Sequence, residues 1–480
     1  MPFQDLREYL QTLEKEGQLI HYTDEVWPEP DIRAISRAAV DMGTDCPGVL
    51  IENIKGYRGK KVAVNLHGGW ANHALMMGLP KKTPLKEQFY ELAKRWDNYD
   101  NGEIQWCFGH PPCQDVAIME NINLYEILPL FRVNPYDGGF YLSKATVVTQ
   151  DMDDPYNFDK VNLGTYRIQV QGPDTLGLQV MAFHDIVIHA RKAEAKNKPL
   201  PVSICIGVAP FITFISSTPV AYDESEYKYA SALAGIPIVL TRGITNDLPI
   251  PYAAEYVIEG EIIPRVRVPE GPFGEFPGSY SCIRRQYQIK VKAVTHRQDP
   301  IFENLYLGRP WTEIDTLTGL NTSITLYKQL KETMPKVTAV NAMYQRGLTT
   351  IIATNNPLGG YAKSVAMRLC STPHGIGYCK NIILVDSDVD PFDLNQVMWA
   401  LSTRVRPDKD VVVIPHTPEM LLDPASELPG MSGKVIIDAT TPVASEPVVR
   451  EVRMIDKISQ SEHYRKVLEE LYRKLQNNFN

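Results

Sequence analysis

Glu270-Gly271-Pro272-Phe273-Gly274-Glu275 sets two carboxylates five residues apart across a turn punctuated by two glycines and a proline, directly after a strand-like run. Proline fixes its own φ and glycine admits turns that other residues resist, so the two acids are held in a defined relation. Two carboxylates near an arginine can take different proton affinities, one staying ionised while the other holds or delivers a proton. An isolated segment of this kind also reads as two solvated acids in a hairpin. The arginine that could complete the set is Arg167 in Asn162-Leu163-Gly164-Thr165-Tyr166-Arg167, where Arg167 opens a predicted strand and Asn162 sits in the loop before it.

His184 and Glu226 follow separately along the chain. An Asn oxygen, a His nitrogen and a Glu oxygen suit a hard or borderline divalent ion such as Mn²⁺ or Mg²⁺, particularly one that also holds a phosphate. Their spacing is not diagnostic, since a lone His after a strand is more often only hydrogen-bonded and Glu226 also reads as a surface helix position. Gly359-Gly360-Tyr361-Ala362-Lys363-Ser364 joins paired glycines to a lysine at an expected helix start, where backbone and charge together could hold a cofactor phosphate. Taken alone it ranks first as a turn. Asp386-Ser387-Asp388-Val389-Asp390-Pro391 imitates a calcium loop, but Pro391 stands where the sharp turn needs glycine and Val397 where it needs Glu. The better reading is a strand end with Asp393 capping a helix that begins near Leu394. HExxH, Walker A and GxSxG motifs are absent.

The elements that must position these residues fall into three stretches. Phe3, Leu6, Leu10 and Leu13 recur at helical spacing, and a second helical stretch from Ile32 to Val40 leads into the strand-like Gly48-Val49-Leu50-Ile51, an α/β opening. The prolines near Gly109 to Gln114 mark the end of this domain, taken as residues 1–115. Residues 116–318 carry short Val-, Ile-, Thr- and Tyr-rich runs at Ala145–Thr149, Tyr166–Val170, Gly177–Met181, Val202–Ile206, Ile236–Leu240 and Gln288–Val294, which predict an antiparallel or mixed barrel interrupted by a helix over 224–234. Residues 319–480 return to α/β alternation, with buried strands near Thr349–Ala353, Asn381–Val385 and Asp410–Ile414. The chain closes on a helix whose Tyr464, Val467, Leu468, Leu471 and Leu475 form an apolar stripe that must pack on something, a neighbouring subunit or the same chain.

Across 480 residues, 44% are hydrophobic and 22% charged, which is globular composition with two or three cores. A formal charge of -8 argues against nucleic acid as a partner, so any anion must be held locally. Neither a leader pattern nor the roughly 18 consecutive apolar residues of a membrane helix occurs, so a cytoplasmic address is expected. Seven scattered cysteines fit reduced, packed thiols; a zinc site at Cys107 and Cys113 ranks below packing.

Taken together, Asn162-Leu-Gly-Thr-Tyr-Arg167, Ser225-Glu-Tyr227, Thr245-Asn-Asp-Leu248, Glu270-Gly-Pro-Phe-Gly-Glu275 and Gly360-Tyr-Ala-Lys363 closely resemble the UbiD-type decarboxylases, and within them the catalytic subunits of bacterial hydroxybenzoate and vanillate decarboxylases. The resemblance runs from Asp5-Leu-Arg-Glu-Tyr-Leu10 to Ile437-Asp-Ala-Thr-Thr-Pro442. It implies a central split β-barrel of flavin-reductase type, and prenylated FMN with Mn²⁺ (or Mg²⁺) and K⁺. Asn162, His184 and Glu226 then become metal ligands. Thr165, Tyr166, Arg167, Met181 and Lys363 become further cofactor contacts, with Lys363 on the phosphate, and Arg167, Glu270 and Glu275 form the catalytic network.

Implied partners are an aromatic carboxylic acid, a flavin prenyltransferase as cofactor supplier, a small accessory subunit, and further copies in a homodimer or hexamer. Loss of CO₂ from an aromatic carbon leaves electrons in an sp² orbital without delocalisation, which is why a cofactor is needed. The implied reaction is reversible decarboxylation of a 4-hydroxybenzoate, vanillate or protocatechuate type of acid, with Glu275 as proton donor. Alternatives are a polyprenyl-hydroxybenzoate or heteroaromatic acid, and a non-catalytic flavin-binding scaffold. In acrylic-acid decarboxylases of this family a Gln commonly precedes the metal-binding His. Phe183 stands there, which disfavours a cinnamate-type substrate. Phe183, Phe276, Trp311 and Ile314 are the expected substrate-pocket residues.

Overall fold

The computed structural model describes residues 3–344, 346–427, 430–443, 455 and 461–477. The chain to Thr441 forms one compact unit and the segment from Pro442 a second. Within the latter, Ser461–Asn477 is the expected terminal helix carrying the apolar stripe.

Six strands close an antiparallel barrel: β1 (Phe140–Gln150), β2 (Val161–Gly172), β3 (Thr175–Leu178), β4 (Leu200–Ile206), β5 (Tyr256–Glu270) and β6 (Arg284–His296), in the order β5-β4-β1-β2-β3-β6, with β6 pairing back onto β5. Successive residues of a strand face opposite sides of the sheet. Val147, Ile204 and Ile258 accordingly enter one apolar core, while their neighbours Val148, Cys205 and Val257 enter another. Both faces are covered, so these strands read as continuous apolar runs. Helix α1 (Asp185–Ala195) links β3 to β4, and α2 (Pro210–Ser216) and α3 (Glu226–Ala234) link β4 to β5.

A four-stranded N-terminal sheet takes its last strand, Ile301–Glu303, from beyond the barrel, paired in parallel with Lys61–Val64. Ile104–Trp106 pairs with Ile238–Arg242. Strand pairings therefore run across the first expected boundary, and the second, at 318/319, falls inside α4 (Glu313–Lys331). The C-terminal part is a five-stranded mixed sheet that includes Val337–Tyr344, Thr349–Thr354 and Asn381–Asp386, flanked by α5 (Tyr361–Cys370). Asp393 caps its helix as expected, accepting from Asn395 N and Gln396 N. No described helix is long and apolar enough to cross a membrane.

One buried ionic cluster ties three of these parts together. A register shift in β1 between Leu142 and Ala145 marks a bulge at Ser143 and Lys144. The Lys144 Nζ lies 2.6 Å from carboxylate oxygens of both Glu303 and Glu313 and 3.0 Å from His67 Nδ1. Glu313 also accepts from the backbone N–H groups of Asn65 and His67. His67, Glu303 and Glu313 have the mutual proximity of metal ligands, but the Lys144 ammonium already sits between the two carboxylates. Burial pushes the Glu313 carboxyl up, yet Lys144 and His67 outweigh it and pull it down to about 2.

Removing one partner of a buried pair leaves an uncompensated charge, so Lys144→Met is expected to cost about 3–5 kcal/mol in chemical denaturation. A depressed carboxyl stabilises the fold above its unfolded value of about 4.3 and loses that contribution as pH falls towards its folded value. Wild-type stability should therefore drop between about pH 4 and pH 2, and Lys144→Met should lose much of that slope.

Candidate active site

The site is built on β2 and on the turn that follows β5. Asn162, Thr165, Tyr166 and Arg167 all lie within β2, which corrects the expectation that Asn162 is in a loop and that Arg167 opens the strand. Ladder hydrogen bonds to β1 over Val161–Tyr166 hold the whole run extended. Glu270 is the last residue of β5 and Glu275 sits in the turn beyond it.

Arg167 joins the two acids. Its Nε and Nη2 donate to the two oxygens of Glu270 at 2.9 and 2.8 Å, a bidentate pairing, and its Nη1 donates to Glu275. Tyr141 OH donates to the same Glu270 at 3.1 Å. Arg167, Glu270 and Glu275 are all buried. Burial alone would lower the Arg167 pKa, but the charges of Glu275 and Glu270 outweigh it and raise it, so the guanidinium is always charged.

The turn is held from behind. Asp137 accepts from Gly274 N at 2.8 Å and from Asn134 N at 2.7 Å, Gly138 N donates to Pro272 O, and Glu275 N donates to Ser279 O. Burial raises the Asp137 carboxyl to about 6, with those two amides opposing the shift. Phe273 packs on Tyr141, with ring centres 4.4 Å apart.

Two adjoining cavities lie along β2, and the smaller opens onto this network. The smaller is lined by Thr165, Tyr166, Arg167, Met181, His184, Glu275, Phe276 and Ile314 among others. The larger is lined by Asn162, Thr165, Tyr166, Phe183, His184 and Glu226 among others. Thus all the expected cofactor contacts except Lys363 come together. The Lys363 ammonium instead donates to Lys409 O at 2.9 Å and lies 3.8 Å from Asp410, because α5 turns its first residues towards that acid. Phe276 and Ile314 line the small cavity as expected, whereas Phe183 is exposed and lines only the large one. Trp311 lines neither, packing against Trp70 and Tyr344.

A divalent cation fits the donor set at the far end. Glu226 is the first residue of α3 and buried, accepting from Leu163 N at 3.2 Å, and among the described residues it has no ion-pair partner. Burial raises its pKa well above the usual carboxylate range, and nearby Asp185 and Glu224 push the same way. A buried carboxylate in acidic surroundings is relieved by a proton or by a metal. His184 caps α1 and is kept neutral, its pKa lowered to about 4 by burial and by Arg346. The Asn162 side chain contacts Thr149 through Nδ2 at 3.5 Å and hydrogen-bonds Tyr166, and its carbonyl oxygen is the donor atom it would offer a cation.

Three family models, described as the N-terminal, Rift-related and C-terminal domains of 3-octaprenyl-4-hydroxybenzoate carboxy-lyase, match residues 10–92, 108–310 and 315–439. The chain belongs to the UbiD family. It is an enzyme of the carboxy-lyase class. Among its curated relatives, the phenolic acid decarboxylase of Sedimentibacter hydroxybenzoicus is 55% identical over 98% of both chains. That of Bacillus subtilis is 52% identical over 93% of this chain and 94% of its own.

Among solved structures, the vanillic acid decarboxylase of S. hydroxybenzoicus in its closed form superposes with a TM-score of 0.91 at 54% identity, covering 98% of this chain and 99% of that one. A UbiD-class enzyme of Pelotomaculum thermopropionicum in complex with FMN gives 0.83 at 29% identity over 96% and 98%. The UbiD barrel expected from the motifs is thus the fold.

Sequence reasoning missed Tyr141, Asp137 and Arg346, none of which stands in a local motif. In this UbiD chain a Cβ on Gly274 would lie 2.3 Å from Asn134 Nδ2, whose amide is committed to Leu307 O. Gly274→Ala should therefore shift Glu275 and lower decarboxylase turnover about 100-fold, with the melting temperature little changed.

Proposed function

We propose that this enzyme reversibly decarboxylates a phenolic acid of the 4-hydroxybenzoate, vanillate or protocatechuate type, using prenylated FMN with Mn²⁺ or Mg²⁺ at Asn162, His184 and Glu226 and K⁺ beside the phosphate. The observation that carries this reading is the Glu270–Arg167–Glu275 network, with Glu275 on the wall of a cavity that also has an apolar side. The relatives named for phenolic and vanillic acids support the substrate class. When bound, the flavin supplies the electron sink that an aromatic carbon lacks.

The chain's own residues do the rest. Glu270 is fully buried and does not line the cavity, so it serves as the fixed anion that orients Arg167. Glu275 does line it, and its carboxyl is the group placed to deliver a proton to the ring carbon after CO₂ departs. Phe273, Phe276, Leu305, Leu307, Ile314 and Met420 give apolar walls that exclude water from that carbon. A flavin prenyltransferase supplies the cofactor, and a small accessory subunit and further copies in a homodimer or hexamer complete the assembly. One solved form of the vanillic acid decarboxylase includes a truncated second component, which supports that arrangement.

Protein coexpressed with a flavin prenyltransferase and supplied with Mn²⁺ and K⁺ is expected to release phenol, guaiacol or catechol from the corresponding acids, read by chromatography. Glu275→Gln should lose this activity while keeping its flavin spectrum. No release from any of the three acids by flavin-loaded wild type would overturn the substrate class.

A further inference from the structure

Among the described residues two arginines and no lysine line the small cavity, and the two arginines differ in one respect. Arg167 is paired with carboxylates, donating through Nε, Nη1 and Nη2 to Glu270 and Glu275. Arg346 has no ion pair among the described residues, and its buried Nε has no hydrogen-bond partner. It lies between Val337–Tyr344 and Thr349–Thr354, with φ +54, a left-handed conformation that non-glycine residues seldom adopt. Gly347 follows at φ +91. This turn brings the side chain to the junction of the two cavities, both of which it lines. Its guanidinium carbon is 5.9 Å from the ring centre of Phe276, the residue after Glu275.

The neighbouring acid makes no ion pair with it. Asp315 accepts from the Thr312 N–H at 2.8 Å and hydroxyl at 3.1 Å, both through Oδ2, in the capping box of α4; its Oδ1 has no hydrogen-bond partner and acts on Arg346 only through charge at a distance. His374, on the large cavity with Arg346, is itself kept neutral, its pKa lowered to about 4 by burial and by Arg346. Buried guanidinium groups are normally met by an acceptor. An anion entering the small cavity meets Glu275 on one wall and needs a cation on the other.

We infer that Arg346 is the anion-binding residue of these cavities, its guanidinium taking the anionic oxygens of an entering ligand, either the carboxylate of the aromatic acid or the phosphate end of the flavin. This deepens the proposed function and rests on it for the identity of the two ligands. Arg346 stands on the C-terminal sheet while the acid network stands on the barrel, so ligand binding bridges two parts of the fold.

Calorimetric binding tests it with charged and uncharged pairs: 4-hydroxybenzoate against 4-hydroxybenzamide on the flavin-loaded enzyme, and FMN against riboflavin on the enzyme without flavin. Wild type is expected to prefer at least one anion over its neutral counterpart. Arg346→Gln should weaken that anion about 10- to 100-fold and leave the neutral partner within about twofold, and Arg346→Lys should recover part of the loss. A loss confined to 4-hydroxybenzoate assigns the substrate carboxylate, and one confined to FMN assigns the phosphate. Wild-type indifference to charge in both pairs, or Arg346→Gln binding both anions like wild type with an unchanged melting temperature, overturns the inference. Turnover is measured separately, so wild type that binds anions through Arg346 yet decarboxylates no phenolic acid overturns the proposed function alone.

Discussion

Burying a guanidinium is costly unless its charge is met, and Arg167 meets that condition by donating through all three of its nitrogens to Glu270 and Glu275. Much of the site follows from this. Glu270 can stay buried because two parallel bonds and the Tyr141 hydroxyl satisfy it. Glu275 can face a cavity in a fixed direction because one end of the turn is anchored by Arg167 and the other by Asp137 through the Gly274 amide. The barrel supplies the rigidity, since Arg167 is central in a strand paired on both sides and Glu270 ends another.

The same strand carries two parts of the site. Asn162, at the start of β2, reaches the large cavity with His184 and Glu226, and Arg167, five residues on, reaches the small one. One extended segment thus sets the distance between a candidate cation site and the arginine that holds Glu275. Around it the Lys144 cluster locks the N-terminal sheet, β1 and α4 together, and the adjacent residues Ser143 and Ile314 form part of the cavity wall. Here a structural ion cluster and a reactive surface are built from neighbouring residues on opposite sides of the same backbone.

Much of this was legible in the sequence because local chemistry and tertiary role agree. Runs such as Ala145–Thr149 and Val202–Ile206 read as strands of a barrel, and they lie in β1 and β4 of it. Glu270 and Glu275 stand out through the glycines and proline between them. Asn162 was misplaced because asparagine and the nearby Gly164 are poor strand residues, and only pairing with β1 overrides that preference. Lys363 and Trp311 keep the right local setting but are claimed by Asp410 and by Trp70 and Tyr344, contacts that no sequence window contains. Strand pairing crosses the first expected domain boundary for a related reason: a short strand after the barrel completes the N-terminal sheet, and β-pairing has no sequence range. Lys144 within an apolar strand was a readable signal, since a buried lysine requires acids nearby. Arg346 carried none.

The central claim is that Glu275, held by Arg167 and Glu270, exchanges a proton with the aromatic carbon. Flavin-loaded enzyme incubated with the phenol product in D₂O, followed by NMR, tests it without requiring CO₂ chemistry in the net forward direction. The account predicts deuterium entering at the one ring position that carries the carboxylate in the acid, with this exchange lost in Glu275→Gln and strongly slowed in Arg167→Lys. Exchange at the wild-type rate in Glu275→Gln, with flavin bound, would contradict it.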